Sequence, residues 1–224
     1  ALKGLISLRK VHSLRAIVTS QTVCILASAL IEDKLHFLHD IDLTVTNGLS
    51  EKAATTLGAA MEMKRIKRLR IDSWQPEKLR QRVLTMDSPT ELLCTILPHT
   101  ALVELHLMSL KRNSTIRTLM GILPFTQIHT ITLDLQFHQC IRRDIVVYIA
   151  SSLKSTRVKS ICLRHRIYGG IEKSLIRDYI EQRRRWMCDL FGFEWIVEHR
   201  EQSIPFVSYK GVKEPQCLDE NTWL

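Results

Sequence analysis

The sequence predicts an α/β fold made of stacked strand–helix units, closed by a C-terminal helical cap. Three observations lead there. An apolar triplet recurs at Val11/Leu14/Ala16, Leu38/Ile41/Leu43, Ile66/Leu69/Ile71, Leu102/Leu105/Leu107, Ile128/Ile131/Leu133 and Val158/Ile161/Leu163. The first positions are separated by 27, 28, 36, 26 and 30 residues, and a period of this size marks a stacked-repeat architecture. Ile96-Leu97-Pro98-His99-Thr100-Ala101-Leu102 and Ile122-Leu123-Pro124-Phe125-Thr126-Gln127-Ile128 share Ile-Leu-Pro-x-Thr-x-apolar at an offset of 26. Third, the segments between triplets carry helical spacing. One unit cannot bury its own apolar face, so neighbours must stack.

Alternate strand residues point to opposite faces, so Leu105 and Leu107 enter the core and His106 points away. The elements then follow in chain order. The degenerate first strand occupies the first 19 residues, and a helix over Gln21–Lys34 buries Val23, Ile25, Leu26, Ala29 and Leu30. The second strand ends near Thr46, where Asn47-Gly48 turns the chain, and Ser50 caps an alanine-rich helix reaching Met63. The long connection after Ile71 begins Trp74-Gln75-Pro76 and accommodates an extra helical turn over Glu77–Leu84. Ser88-Pro89-Thr90-Glu91 reads as a capping box. Pro98 and Pro124 end their helices because proline lacks the N–H that would continue them. Tyr168-Gly169-Gly170 breaks the pattern, and an amphipathic helix follows over Ile171–Phe191. The tail from Phe193 to Leu224 shows no strand signature and is expected to cover the open end of the core.

The triplet spacing resembles the leucine-rich repeat family, at the ribonuclease-inhibitor-like repeat length found in F-box receptors. The resemblance implies a leucine-rich-repeat solenoid of about six degenerate repeats over residues 1–170, with parallel strands on a concave face and helices on a convex face. Residues 171–224 form the amphipathic helix and capping tail. The family places Asn or Cys three residues after the last strand leucine; this chain has Thr19, Thr46, Trp74, Leu110, Gln136 and Arg166 there. No F-box is visible. Pro89-Thr90-Glu91-Leu92-Leu93 faintly resembles one but sits inside the repeat phase. The sequence begins at Ala1 without an initiator Met, which predicts a fragment or processed form that an F-box would precede.

The concave face that the resemblance implies carries Ser13, Asp40, Arg68, Glu104, Thr130 and Ser160 in one row, and Arg15, Asp42, Arg70, His106, Thr132 and Cys162 in the next. A third row holds Ile17, Thr44, Asp72, Met108, Asp134 and Arg164. From these, Asp42, Arg68, Arg70, Asp72, Glu104, His106, Met108, Asp134 and Arg164 are the expected partner-binding residues. The resemblance implies a non-enzymatic protein-protein interaction module, with the substrate-recognition part of a ubiquitin ligase receptor as its specific form. The alternative is a basic scaffold associated with RNA or a ribonucleoprotein.

The net charge of +9 permits weak nucleic-acid binding, while the partner is an unnamed protein and no membrane is expected. Charge is uneven: residues 1–86 hold 14 basic and 8 acidic side chains, residues 87–140 hold 3 and 4, and residues 141–224 hold 15 and 11. Arg183-Arg184-Arg185 would fan around a helix rather than clamp a phosphate. Lys64-Arg65, Lys67-Arg68 and Arg70 project near a strand start, with few aromatics among them to stack bases.

No glycine-rich phosphate loop, G-x-S-x-G or H-E-x-x-H occurs, so no catalytic residue, cofactor or enzyme activity is expected. His36, His39, Asp40 and Asp42 do not converge on one face of a strand, so no metal site is expected. The six cysteines, Cys24, Cys94, Cys140, Cys162, Cys188 and Cys217, are scattered without a C-x-x-C pair. They predict a reduced intracellular protein, cytoplasmic or nuclear. The longest uncharged run, Ala16 to Ile31, is 16 residues, short of a membrane span. Asn113-Ser114-Thr115 matches a glycosylation sequon and reads more simply as a helix start.

Overall fold

A computed structural model gives the fold and describes residues 11–63, 66–74, 87–110, 112–135, 143–166, 185, 193–200 and 206–213. Six strands, β1 (Ser13–Thr19), β2 (Asp40–Thr46), β3 (Arg68–Trp74), β4 (Glu104–Leu110), β5 (Thr130–Leu135) and β6 (Ser160–Arg166), pair in parallel and in chain order. Five helices alternate with them: α1 (Ser20–Ile31), α2 (Glu51–Met63), α3 (Asp87–Cys94), α4 (Asn113–Ile122) and α5 (Arg143–Leu153). Parallel neighbours require a crossover, and each helix supplies one. The order β1 to β6 never reverses, so β1–β6 offer no switch-point crevice of the kind where doubly wound sheets bind ligands.

The core lies between the sheet and the helix layer. Ile41, Leu43, Leu69, Ile71, Leu105, Leu107, Ile131, Leu133, Ile161 and Leu163 are all buried from one face of the sheet. Val23, Leu26, Leu30, Leu57, Met61, Leu93, Ile116, Leu119 and Ile149 meet them from the helices. Ile25 departs from its expected place: it is 47% exposed, and Ala27 takes the buried position instead. Gly58 on α2 lies so close to Ile96 that an added Cβ would sit 2.2 Å from the Ile96 Cδ1, so the glycine admits that side chain.

The turns explain the motifs. Asn47 and Gly48 have φ of 60° and 79°, the left-handed conformation that asparagine and glycine tolerate best. Ser50 Oγ accepts from the Ala53 N–H at 3.3 Å, capping α2. Pro98 and Pro124 open short 3-10 turns, Leu97–His99 and Leu123–Phe125. The motif threonines close those turns: Thr100 Oγ1 donates to the Leu97 carbonyl at 2.9 Å, and Thr126 Oγ1 to the Leu123 carbonyl at 2.8 Å. Thr156 does the same to Leu153 at 2.8 Å without a proline, an unanticipated third copy. The expected capping box differs. Helix α3 already includes Asp87, and the Glu91 carboxylate accepts from Thr115 Oγ1 on α4 at 2.8 Å.

The predicted fold class is corrected at its C-terminus. Phe193–Arg200 and Phe206–Lys213 are strands, β7 and β8, where a helical cap without strands was expected. They form an antiparallel pair, and β8 also pairs antiparallel with β6, giving one mixed eight-stranded sheet in the order β1-β2-β3-β4-β5-β6-β8-β7. The physical reason is that the last parallel strand has an unpaired edge, which backbone hydrogen bonds of an added strand satisfy directly. The helical turn expected over Glu77–Leu84, the Gly169-Gly170 turn and the amphipathic helix fall outside the described residues, apart from helical Arg185.

Candidate binding site at the strand starts

The face of the sheet away from the helices carries the expected polar rows. Asp40 pairs with Arg68, Arg68 with Glu104, Glu104 with Thr130 and Thr130 with Ser160. Asp42, Arg70, His106, Thr132 and Cys162 form the next row in the same way. The third row holds only in part. Ile17, Thr44 and Asp72 align, and Asp134 aligns with Arg164, but the β4–β5 register shifts between Leu107 and Leu110. Met108 therefore leaves the row and is buried, as are Thr132 and Asp134. The Arg164 Nε is buried without a hydrogen bond among the described residues.

Over β1–β4 the charges largely satisfy one another. Arg68 grips Asp40 with two hydrogen bonds, Nε to Oδ1 at 2.8 Å and Nη2 to Oδ2. Asp42 stands between two guanidiniums, Arg15 Nε at 3.4 Å and Arg70 Nε at 3.7 Å. His106 Nε2 lies 2.6 Å from Glu104 Oε1. The Asp40 and Asp42 contacts cross between strands, where opposite charges are stabilising, while the His106–Glu104 bond lies within β4. The hydrogen bonds from Arg68 hold the Asp40 carboxyl below its ordinary value of 3.8, against the opposing effect of partial burial.

That shift has a testable sign. A carboxyl with a depressed folded value stabilises the fold above its unfolded value, and the stabilisation disappears as pH falls through the lower folded value. The stability gap between the natural chain and Asp40→Asn is thus expected to be widest at neutral pH and to close below 3.8. Urea midpoints across that range decide it, and a gap that persists in acid would show that the pair acts by packing.

Next to these rows lies a cleft of about 440 Å³ lined by His39, Asp40, Lys67, Arg68, Val103 and Glu104. These are equivalent residue pairs at the starts of β2, β3 and β4. The backbone makes them equivalent: the His39 carbonyl accepts from the N–H groups of Lys67 and Arg68 at 2.8 and 3.2 Å. The Lys67 carbonyl accepts from Val103 and Glu104 at 2.8 and 3.1 Å. Of the charged lining residues, Asp40 and Arg68 hold each other and Glu104 holds His106. Lys67 is exposed and forms no ion pair among the described residues.

Arg68 and Glu104 belong to both the expected set and the cleft, whereas His39, Asp40, Lys67 and Val103 line the cleft without being in that set. Their signal is positional, since each falls one or two residues after the first apolar member of a triplet. Among the described residues no group of three or more His, Cys, Asp or Glu could hold a metal ion. Cys94 is buried at the end of α3, and burial, with the nearby Glu91 charge, pushes its thiol up to about 12. No helix among the described residues is long and apolar enough to cross a membrane.

No family model matches the chain, and no curated protein matches it. A solved structure that aligns with it is the methyltransferase domain of bacterial CtHen1-CN, at 9% identity and TM-score 0.31, covering 94% of this chain and 93% of that one. A likeness this slight carries no argument about activity. None of these comparisons supplies a leucine-rich-repeat relative, and the family resemblance is withdrawn. The leucine-rich-repeat solenoid, the non-enzymatic interaction module and the ubiquitin ligase adaptor rested on that resemblance and are withdrawn with it, whereas the RNA scaffold rested on the net charge of +9. The expectation that the chain is not an enzyme, drawn from missing motifs, is likewise withdrawn. The physical reason is that periodic apolar triplets specify strand–helix alternation, which α/β sheets of many families share.

Proposed function

We propose that the chain binds an anionic ligand in the cleft at the starts of β2, β3 and β4, with its phosphate or carboxylate group held by Lys67. The observation that carries this reading is the exposed Lys67 ammonium beside Arg68, whose guanidinium is already held by Asp40. An ammonium is a compact point charge with three donors, suited to a phosphate or carboxylate oxygen. The volume of about 440 Å³ lies within the range of small-ligand sites. Arg68 adds a guanidinium already oriented by Asp40, and Val103 offers an apolar wall for the ligand's body. The thiols of Cys24 and Cys94, outside any disulfide among the described residues, support an intracellular setting, cytoplasmic or nuclear.

Titration calorimetry with a nucleoside monophosphate and, separately, with a dicarboxylate tests the site and separates the two anion classes. Lys67→Ala is expected to weaken binding of the preferred anion about tenfold, the equivalent of ~1.4 kcal/mol. Lys67→Arg should keep most of it. Unchanged affinity in Lys67→Ala would remove the cleft from consideration.

A further inference from the structure

The cleft is one part of a longer row. The carbonyls of His12, His39, Lys67, Val103 and His129 each accept two N–H groups from the next strand, the last pair coming from Lys159 and Ser160. The same step is taken five times, so His12, His39, Lys67, Val103, His129 and Lys159 occupy one repeating position across β1 to β6. Neighbouring strands lie about 4.8 Å apart, so the row runs roughly 24 Å. Five of its six members are histidine or lysine and none is acidic. A neutral imidazole still donates one N–H, and an ammonium donates three.

Aromatic surface lies at the β1 end of the row. Phe37 is 40% exposed, with its ring centroid 5.7 Å from His12 and 4.2 Å from His36. The His12 and His39 rings are stacked at 6.1 Å. A basic track combined with exposed rings is the arrangement that binds single-stranded nucleic acid, with phosphates on the cations and bases on the rings. Of the carboxylates in the adjacent row, Asp40 is neutralised by Arg68, and Glu104 accepts a hydrogen bond from the His106 ring, which offsets its charge when the imidazole is protonated.

We infer that the strand-start row from His12 to Lys159 is a binding track for single-stranded nucleic acid. The inference rests on the cleft as an anion site and extends it: Lys67 takes one phosphate, while His129 and Lys159 take later ones. At a stacked spacing of ~3.4 Å per phosphate, the row accommodates about seven nucleotides.

Fluorescence anisotropy with oligothymidylates of increasing length, using the whole chain, tests this. Affinity should rise from the mononucleotide and level off near about seven nucleotides. The double variant His129→Ala, Lys159→Ala, remote from the cleft, should weaken the heptamer about tenfold and leave the mononucleotide unchanged. Its log-affinity against log-salt slope should be shallower by about 0.7 for the lost lysine contact, a change that misfolding would not mimic. Phe37→Ala should cost a further factor of about ten, the size of one lost base stack. A heptamer that binds no more tightly than the mononucleotide would overturn the track and leave the cleft standing. Binding of neither would overturn both. Polyglutamate of matched charge binding as tightly would overturn the nucleic-acid assignment in favour of an acidic polypeptide.

Discussion

Leu105→Ala and Ile131→Ala are each expected to destabilise the protein by about 2–5 kcal/mol, the usual cost of emptying a packed core position. Both side chains are fully buried, and they are direct partners across β4 and β5. The cavity cannot collapse easily, because each is walled by neighbouring strands and by the helix layer. His106 lies one residue along β4 from Leu105 on the opposite face, half-buried and bonded to Glu104. Its replacement by alanine removes an accessible pair worth roughly 0–1 kcal/mol. Urea denaturation of the three variants measures the contrast. Equal losses would mean that Leu105 and His106 do not face opposite sides of the sheet.

Removing the β7–β8 hairpin is the second large effect. Strand β8 pairs with β6 along the whole length from Ser160 to Arg166. Without it, a seven-residue edge beside Ile161 and Leu163 presents unpaired N–H and C=O groups to other molecules. Such edges pair with copies of themselves unless something covers them. A chain truncated before Phe193 is therefore expected to elute from a sizing column as large aggregates. Elution as a monomer would mean that the hairpin is dispensable for covering β6.

The contrast between these two regions shows what kind of information the sequence carried. Triplets such as Leu102/Leu105/Leu107 announce their strands because one face must be apolar and the period must match the pleat. Aligning the triplets was enough to pair Asp40 with Arg68 and Asp42 with Arg70, since parallel strands in register carry equivalent positions side by side. The hairpin was overlooked because it follows no repeat. Its signal was nonetheless present: Phe193–Arg200 and Phe206–Lys213 are rich in β-branched and aromatic residues and are separated by five residues. The motif Ile-Leu-Pro-x-Thr was read for its proline. The threonine matters as much, because in the fold Thr100 Oγ1 and Thr126 Oγ1 hold the Leu97 and Leu123 carbonyls.

By itself the sequence determined the alternation of strand and helix over β1–β6, the buried side of each strand and the pairing of charged rows on the other side. These follow from local periodicity, which every residue expresses in its own neighbourhood. The tertiary structure decided which charges are paired, which strand covers β6 and where a cleft opens. Lys67 is distinguished from Arg68 only once Asp40, 28 residues away in sequence, is seen to hold one and not the other. Met108 leaves its row only because the β4–β5 register shifts after Leu107. Such facts depend on contacts between distant segments, and a one-dimensional pattern records the spacing of residues but not the company they keep.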